Sequence, residues 1–458
     1  MGRRAAALIV VLASLSGAGS ALAATPQELT IPASDGTRLA CALVEPDGTP
    51  PGGGWPALML FHGLGGTHQD MEPLATQALA PAGYASLMCD ARGQGASGGL
   101  FGLDGPREIQ DVRDLFAWLT ARPEISDTAI GALGISLGGG AVWNATAAGV
   151  PFKAIVPITT WTNLATSLAT QGLSKSGLIG LLALAVPASR WEPDLLADEA
   201  DLLQSKNMAT FTALAATRSP VTQLPSITTP TLLVQGRHDF LFDIDQAEAA
   251  YAGLGGPKQL YIGDLGHLPA PNPPTELPTV YTLALTWFDH FLKGAPGSVQ
   301  PTVQLAHDPW DGTTTTFDGL PPTKKSSVAL PGTTTLKTGA SVVRGARLTG
   351  GPHETFGDST LTVRYSNAKG WDRLVAVVTV PGVSSPITEG GVKLSGRSGV
   401  VTIRLMNESV LIPSGKRVVV TLGATSDSYA VGVPKGSSIT IGRETLALSV
   451  LTRAVSPP

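Results

Sequence analysis

Short apolar runs that end in glycine-rich turns alternate with amphipathic stretches between residues 28 and 293. The clearest helical stretch covers residues 109–119, where apolar side chains recur every three or four positions. Apolar strands that alternate with helices indicate a mainly parallel sheet with both faces covered, and hence an α/β fold. The predicted strands of this sheet cover residues 57–61, 85–89, 129–135, 154–158, 231–235 and 259–262.

One segment interrupts this alternation. Residues from about 161 to 219 have a helical and unusually apolar pattern, and they fall between two predicted core strands. Long insertions at that edge of a sheet usually shape a binding site. We therefore expect a helical cap over the strand ends, the alternative being a further helical layer of the core.

The pattern changes again after Pro296. Helical periodicity stops, and Thr, Ser, Val and Gly dominate short alternating runs separated by turn residues, which is typical of an all-β sandwich. The predicted organisation is an α/β catalytic domain over 24–296, with the cap at about 161–219, followed by a β-sandwich domain over 297–458. The clearest sandwich strands cover residues 361–365, 374–380, 400–405, 417–422 and 446–451.

The first 23 residues are typical of a secretory signal. Arg3 and Arg4 precede an apolar run over 5–15, and residues 21–23 read Ala-Leu-Ala, the small-x-small pattern of a cleavage site. No later apolar run is long enough to predict a membrane span. We expect a secreted, extracytoplasmic protein. Its net charge of −4 gives no electrostatic reason to expect nucleic acid as a partner.

The chain has two cysteines, Cys41 and Cys89, and both fall in predicted strands that could be neighbours. An oxidising compartment permits a disulfide between them, and two separate buried thiols are the alternative. Neither cysteine has the spacing of a metal site. The sequence also has no zinc signature, no phosphate-binding loop and no dinucleotide fingerprint, so we expect neither a metal nor an organic cofactor.

The strongest chemical signal is the G-x-S-x-G motif over 134–138, with Ser136 at its centre. A predicted strand precedes it and a helix of small residues follows. In this arrangement the serine lies at the tip of a sharp turn with its hydroxyl exposed, and the flanking glycines allow the backbone to pass close by. We therefore predict that Ser136 is a nucleophile.

A serine hydroxyl needs a base to accept its proton and an acid to orient that base. Downstream of Ser136, Asp239 follows the predicted strand 231–235 and His267 follows the strand 259–262, so the order is Ser, acid, His. We predict that His267 is the general base and Asp239 the acid. Asp243 and Asp245 are the alternatives for the acid.

A tetrahedral intermediate requires donors for its oxyanion. One should be the backbone N–H of Leu137, directly after the nucleophile. The other should be the N–H of Leu64, in the glycine-rich turn that follows strand 57–61. We expect His62 to hold this turn by hydrogen bonds, and Trp161, at the entrance to the cap, to line the substrate pocket or the core.

A polar, glycine-rich loop over 90–98 follows another strand. Asp90 and Arg92 are expected to form a charge-assisted pair that fixes the floor of the site, with substrate recognition as the alternative.

Several of these residues carry a resemblance to a known family. The loop containing Asp90, Arg92 and Ser97, the helix with Glu108, Asp111 and Asp114, and the following Trp118 and Leu119 before the motif at 134–138 resemble the cocaine-esterase and X-Pro dipeptidyl-peptidase group of α/β-hydrolases. The resemblance implies a helical cap, a jelly-roll sandwich, a Ser136–Asp239–His267 triad, and activity on acyl esters or amides.

Two positions depart from that family. Leu137 stands where the family usually has a tyrosine, and the turn His62-Gly63-Leu64-Gly65 replaces the one that usually supplies a tyrosine hydroxyl to the oxyanion. We therefore expect a carboxylic ester hydrolase that acts on a small-molecule or polymeric ester. An X-Pro exopeptidase or amidase with the same triad is the alternative. A third hypothesis is that the sandwich binds a polymer for the hydrolase domain.

Overall fold

The computed structural model describes residues 24–267, 270–297, 299–383 and 386–457. The predicted signal segment, residues 1–23, lies outside the described residues.

A ten-stranded sheet forms the first half of the molecule, in the order β1-β2-β4-β3-β5-β6-β9-β10-β11-β12. Strands β3, β4, β5, β6, β9, β10 and β11 are parallel, and β1, β2 and β12 pair antiparallel at the two edges. The bounds are β1 (Gln27–Pro32), β2 (Arg38–Val44), β3 (Trp55–Phe61), β4 (Ala85–Cys89), β5 (Ile125–Ile135), β6 (Ile155–Ile158), β9 (Thr231–Gly236), β10 (Lys258–Gly263), β11 (Val303–Ala306) and β12 (Thr314–Phe317).

Helices cover both faces of this sheet, as the alternating pattern predicts. Helices α2, α3 and α8 pack on one face through an apolar cluster, and α9 and the short α1 region pack on the other. The bounds are α1 (Glu72–Leu74), continued by a π-helical turn at Ala75–Leu79, α2 (Pro106–Thr120), α3 (Leu137–Ala147), α8 (Ile244–Gly253) and α9 (Leu277–Lys293), with short 3-10 turns at His68–Met71 and Leu224–Ser226.

The apolar insertion lies between β6 and β9 and is mostly helical. Its side chains form a cluster of their own that includes Leu64 and Leu137 from the sheet's glycine-rich turns. The expected cap is therefore a separate packing unit over the strand ends. Its elements are α4 (Leu164–Leu168), β7 (Ala169–Thr170), β8 (Leu173–Ser174), α5 (Ser176–Leu182), a 3-10 turn at Ala188–Arg190, α6 (Pro193–Leu203) and α7 (Met208–Ala216).

The remaining strands form an antiparallel sandwich. One sheet has the order β13-β23-β17-β20, with β14 also paired to β23, and the other has the order β15-β22-β18-β19. The bounds are β13 (Thr323–Leu330), β14 (Thr334–Lys337), β15 (Val342–Arg347), β16 (His353–Glu354), β17 (Ser359–Lys369), β18 (Arg373–Thr379), β19 (Thr388–Lys393), β20 (Gly399–Leu405), β21 (Leu411–Ile412), β22 (Arg417–Gly423) and β23 (Ser438–Leu451). The combination of an α/β-hydrolase sheet, a cap and a β-sandwich confirms the predicted fold class.

The first sheet continues past residue 296, where the sequence pattern placed a boundary. Strand β11 pairs in parallel with β10, and β12 pairs with β11, so the sheet extends to Phe317. The sequence pattern of such a short strand is the same in either sheet. Alternation of apolar and polar residues shows that one face of the strand is buried, but it does not identify the neighbouring strand.

Cys41 and Cys89 face each other in the antiparallel pair β2–β4 and form a disulfide. Cys89 is the last residue of β4, so the disulfide lies at the base of the loop that begins with Asp90. In the part of the chain that the structure describes, no helix is long and apolar enough to cross a membrane.

Candidate active site

Ser136 lies between β5 and α3 in a strained turn. Its backbone has φ 56° and ψ −115°, a conformation that non-glycine residues rarely adopt, and such strain is common at functional sites. The flanking glycines make the turn possible. A methyl group added at Gly138 would lie 2.2 Å from the carbonyl oxygen of Phe61, and one at Gly134 would lie 2.1 Å from the carbonyl oxygen of Gly138.

His267 and Asp239 follow the neighbouring strands β10 and β9. The two turns touch through glycines: a methyl group at Gly236 would lie 2.1 Å from the Leu265 carbonyl oxygen, and one at Gly266 would lie 2.8 Å from Asp239 Cβ. Gly266 also has φ 135°, which strongly favours glycine. Close approach of these turns brings the imidazole to the carboxylate.

The three predicted side chains form one chain of hydrogen bonds. Ser136 Oγ lies 2.8 Å from His267 Nε2, and His267 Nδ1 lies 2.8 Å from Asp239 Oδ2. Asp239 Oδ1 accepts hydrogen bonds from the N–H groups of Leu241 and Phe242, each at 3.0 Å. All three side chains are buried. This geometry can pass a proton from the hydroxyl to the imidazole and stabilise the imidazolium that results.

The alternative acids lie elsewhere. Asp243 is the N-cap of α8 and Asp245 lies in the first turn of that helix, where Arg404 pairs with it at 3.4 Å. Asp264 approaches His238 Nε2 at 3.3 Å, and its other oxygen accepts the N–H of Trp310. The structure therefore brings Asp239, and neither Asp243 nor Asp245, to the imidazole.

The turn after β3 lies beside Ser136. A methyl group at Gly63 would be 3.8 Å from Ser136 Cβ, and within the described ranges no group accepts a hydrogen bond from the N–H of Leu64. Leu137 is the first residue of α3, a position whose N–H has no partner inside a helix. The two N–H groups predicted to bind the oxyanion thus belong to segments that lie next to Ser136.

Two side chains hold this turn. His62 Nδ1 lies 2.7 Å from the Gly63 carbonyl oxygen, and its Nε2 accepts the N–H of Ala91 at 2.9 Å. Burial lowers the pKa of His62, so the imidazole is neutral and connects the turn to the next loop. Gln94 Oε1 accepts the N–H of Gly65 at 2.7 Å, a contact that the sequence pattern did not indicate.

The expected pair between Asp90 and Arg92 is wrong. Asp90 accepts hydrogen bonds from the backbone and ring of His68, both at 2.7 Å. Arg92 instead makes a bidentate pair with Asp111 on α2, with both distances 2.7 Å, and also contacts Asp35. The loop is a charge-assisted network as expected, but adjacent side chains along a turn point to different neighbours, which sequence proximity does not reveal.

Trp161 is buried in the cap cluster, where its Nε1 donates to the Arg218 carbonyl oxygen at 2.6 Å. Its ring lies 5.4 Å from the ring of Phe242, which in turn packs edge-on against the His267 imidazole at 5.1 Å. An apolar wall thus extends from the imidazole into the cap.

A buried ion pair connects the turn after β9, residues 237–242 and named the acid turn after Asp239, to the sandwich. Arg237, two residues before Asp239, donates to Glu354 Oε1 at 2.6 Å and to the carbonyl oxygen of Ser409 at 2.7 Å, and both charged side chains are fully buried. Burial alone would raise the pKa of Glu354, but the Arg237 charge and hydrogen bonds from residue 456 hold it below its usual range. Sequence reasoning missed this pair, whose members are 117 positions apart.

Among the described residues, two groups of side chains bring together atoms that could hold a cation: Glu28, His68 and Glu72, and His238, Asp264 and Asp308. His238 Nε2 lies 3.3 Å from Asp264 Oδ1 and 3.5 Å from Asp308 Oδ1, and these atoms lie within 4.8 Å of one another. Both carboxylates thus approach the same ring nitrogen of His238.

Comparison with known proteins supports the resemblance found in the sequence. The family model of the X-Pro dipeptidyl-peptidase (S15) family matches residues 35–269. A CocE/NonD family hydrolase from Staphylococcus aureus has a similar structure, with 13% identity, a TM-score of 0.70 and 93% of each chain covered. An α-amino acid ester hydrolase has 14% identity and a TM-score of 0.65, with 97% of this chain and 99% of that chain covered. At such identities the likeness shows the fold alone.

Among curated proteins, an uncharacterized 31.7 kDa protein of Escherichia coli is 34% identical over 102 residues, which is 22% of this chain and 36% of that protein. The chain thus spans little more than a third of that relative's length. The family model, by contrast, covers just over half of the chain and includes all three side chains of the hydrogen-bond chain. The chain therefore belongs to the X-Pro dipeptidyl-peptidase (S15) family of α/β-hydrolases, whose fold it shares along nearly its whole length.

Proposed function

We propose that the protein is a secreted serine hydrolase that cleaves carboxylic esters through an acyl-enzyme intermediate. The observation that carries the proposal is the hydrogen-bond chain Ser136–His267–Asp239, with 2.8 Å at each of its two links. Its geometry supports roles for Ser136 as nucleophile, His267 as general base and Asp239 as the acid that orients the base.

The reaction follows from this geometry in two halves. Ser136 Oγ attacks the ester carbonyl while His267 Nε2 takes its proton, and the N–H groups of Leu64 and Leu137 stabilise the oxyanion. The tetrahedral intermediate collapses as His267 returns the proton to the departing alcohol, which leaves an acyl group on Ser136. Water then attacks the acyl carbonyl while His267 takes its proton. Return of that proton to Ser136 Oγ breaks the acyl–serine bond and releases the carboxylic acid.

The surroundings favour an uncharged, apolar acyl group. Leu64, Leu137, Trp161 and Phe242 belong to one apolar cluster beside the triad. The cap segment 176–189 has no charged residue, so this part of the cap offers a charged acyl group no counter-charge.

The alternative, an X-Pro exopeptidase, is suggested by the family name and requires a negative charge to bind a free amino terminus. Asp104 is the acid beside Trp161: a methyl group on Gly140 would lie 2.3 Å from the Trp161 ring and 2.5 Å from Asp104 Oδ2. Burial, reinforced by Glu108, raises the pKa of Asp104 well above its usual range. Ionising Asp104 to bind an ammonium group is therefore unfavourable, and this supports ranking ester hydrolysis first.

Secretion and the sandwich are also part of the proposal. The signal pattern over 1–23 supports export, and the Cys41–Cys89 disulfide fits an oxidising compartment. A polymer-binding role of the sandwich is less favoured, because its candidate aromatic residues Trp371 and Tyr429 are 3% and 1% exposed and offer no stacking surface.

Active-site labelling with a fluorophosphonate, followed by a panel of nitrophenyl esters and X-Pro anilides, tests the proposal. We expect wild type to be labelled, and Ser136→Ala to lose both labelling and esterase activity, the latter by a factor on the order of 10⁶. Ser167→Ala, in the cap helix α4, is the matched control. Labelling that survives in Ser136→Ala would refute the nucleophile, and anilide turnover faster than ester turnover would reverse the ranking.

A further inference from the structure

Lys175 is a lysine buried inside the molecule at the start of the cap helix α5, with only 1% of its surface exposed. Burying an ammonium group is costly unless its hydrogen bonds are satisfied. Lys175 Nζ donates to the carbonyl oxygens of Phe240 and Leu241, at 2.8 and 3.1 Å. These are the two residues that directly follow Asp239.

The same two peptide groups also bind Asp239. The carbonyl of Phe240 shares a peptide unit with the N–H of Leu241, and the carbonyl of Leu241 shares one with the N–H of Phe242. Both of these N–H groups donate to Asp239 Oδ1 at 3.0 Å. Because the C=O and N–H of a trans peptide point in opposite directions, each unit has the ammonium at one end and the carboxylate at the other.

This arrangement aligns two peptide dipoles between a positive and a negative charge. Each peptide carries a dipole of about 3.5 D, and hydrogen bonds to charged groups are stronger than neutral ones. Donors and acceptors connected in series also polarise one another. The ammonium therefore strengthens both N–H donors that fix Asp239 Oδ1, and this leaves Oδ2 directed at His267 Nδ1, 2.8 Å away.

We propose that Lys175 is a positioning residue for the catalytic acid: through the two peptide groups it fixes the Asp239 carboxylate and makes proton uptake by His267 depend on a residue of the cap. The inference rests on the proposed function of the triad, but on neither an ester nor a peptide substrate in particular. It assigns the cap a second role besides forming an apolar wall.

Other buried carboxyls face the same ammonium. The Lys175 charge acts on three of them: Asp243 at the N-cap of α8, Glu389 of β19 and Glu408 of the sandwich segment 406–410. Burial raises the pKa of each of these three carboxyls, and the Lys175 charge acts in the opposite direction. Asp239, reached through the peptides, is the anion that the geometry pairs with Lys175.

The test compares Lys175→Met, which removes the charge but keeps the length, with Lys175→Arg, which keeps the charge. We would measure the rate of fluorophosphonate labelling of Ser136, and kcat and KM on a soluble nitrophenyl ester, from pH 5 to 9. For Lys175→Met we expect kcat/KM and labelling to fall about 10- to 100-fold, mainly through kcat, because a less firmly held Asp239 carboxylate orients the imidazole less well, and this loss outweighs the relief of charge repulsion. On the acid side of the pH profiles of labelling and of kcat/KM (the acid limb), the midpoint of the fall in rate should also move up by about one pH unit. The reason is that no ammonium then opposes the positive charge of the imidazolium.

Lys258→Met is the matched control. Lys258 Nζ also donates to a backbone carbonyl, that of Leu254 at 2.9 Å, but it lies at the other end of β10 from His267. Its pH profile should coincide with that of wild type, as should the acid limb of Lys175→Arg. If Lys175→Met does not fold, Lys175→Gln takes its place in the comparison with Lys175→Arg.

A merely structural role of Lys175 predicts lower thermal stability with an unshifted acid limb, and that result would overturn the inference. So would coincident limbs in the charged and uncharged variants. Failure of the proposed function looks different, because wild type itself would then show no labelling at Ser136.

Discussion

At the scale of single residues, the hydrogen bonds of Asp239 explain why its position requires a carboxylate. Its Oδ1 accepts hydrogen bonds from two backbone N–H groups, and its Oδ2 faces the imidazole. These contacts fix the orientation of the carboxylate. Asp239→Asn would keep the shape of the side chain but place an amide where His267 Nδ1–H needs an acceptor. The imidazole would then favour the wrong tautomer.

We therefore expect Asp239→Asn to lower kcat by about 10⁴-fold with little change in folding, as assayed by ester turnover and thermal unfolding. Asp245→Asn serves as the control, because Asp245 lies on α8 and pairs with Arg404. Equal losses in the two variants would contradict the assignment of the acid.

Gly138 is a second position at which the surrounding atoms admit only one residue type. An added methyl group would lie 2.2 Å from the Phe61 carbonyl oxygen and 2.8 Å from that of His62, which belong to the end of β3 and the turn that contains Leu64. Neither backbone atom can move without displacing Leu64. Gly138→Ala should therefore destabilise the protein by at least the 1–3 kcal/mol typical of overpacking, and reduce activity further by displacing the turn.

Gly52→Ala is the companion variant for this measurement, since no atom lies within 4 Å of its added methyl group. Chemical denaturation and labelling of Ser136 would be compared for both. A Gly138→Ala protein with wild-type stability and labelling rate would show that the turn tolerates displacement.

At the scale of elements, the disulfide connects β2 to β4 across 48 residues of chain. Closing a loop of that length removes conformational freedom from the unfolded state, which the chain-entropy relation puts at about 4 kcal/mol. We expect Cys41→Ala/Cys89→Ala to lose about 2–5 kcal/mol of unfolding free energy in denaturant titrations. Reducing agent should have no further effect on the variant, whereas it should destabilise wild type.

The elements also show which features a sequence can predict. The sequence predicted that Ser136, Asp239 and His267 lie together, because each follows a strand in a required order and strand ends leave a local signature in apolar runs and glycines. The sheet, the cap and the sandwich have periodic signatures of the same kind. Such signals depend on neighbours along the chain.

Contacts between distant segments leave no such signature. Lys175 meets the acid turn across 65 positions, and Arg92 pairs with Asp111 on a helix instead of with the adjacent Asp90. The membership of β11 and β12 in the first sheet was missed for a related reason. A short strand reports which of its faces is buried, but its partner depends on the folded chain as a whole.

At the scale of the whole molecule, the ion pair Arg237–Glu354 connects the hydrolase sheet to the sandwich. Both side chains are fully buried, and removal of one partner leaves an uncompensated charge, which typically costs about 3–5 kcal/mol. We expect Glu354→Gln to lose stability on this order in denaturant titrations. Asp358→Asn breaks a mostly exposed pair with Arg404 and should cost about 1 kcal/mol or less.

The pH dependence of this loss has a defined sign. The pKa of Glu354 in the folded protein lies below its ordinary value of 4.5, so the folded state favours the carboxylate. Its contribution to stability is fully present above about pH 4.5 and is lost as pH falls through the folded-state pKa. The stability difference between wild type and Glu354→Gln should thus be constant near neutrality and shrink in acid. A difference that grows in acid would contradict the pairing.

The network behind the acid turn is completed by residues far downstream. Ser456 donates to both oxygens of Glu354, and the Ser409 N–H binds the Arg237 carbonyl oxygen. Ribosomes make polypeptides from the amino end, so these donors emerge long after Ser136 and His267. We therefore expect the turn that carries Arg237 and Asp239 to reach its final position only after these last segments of the chain have docked.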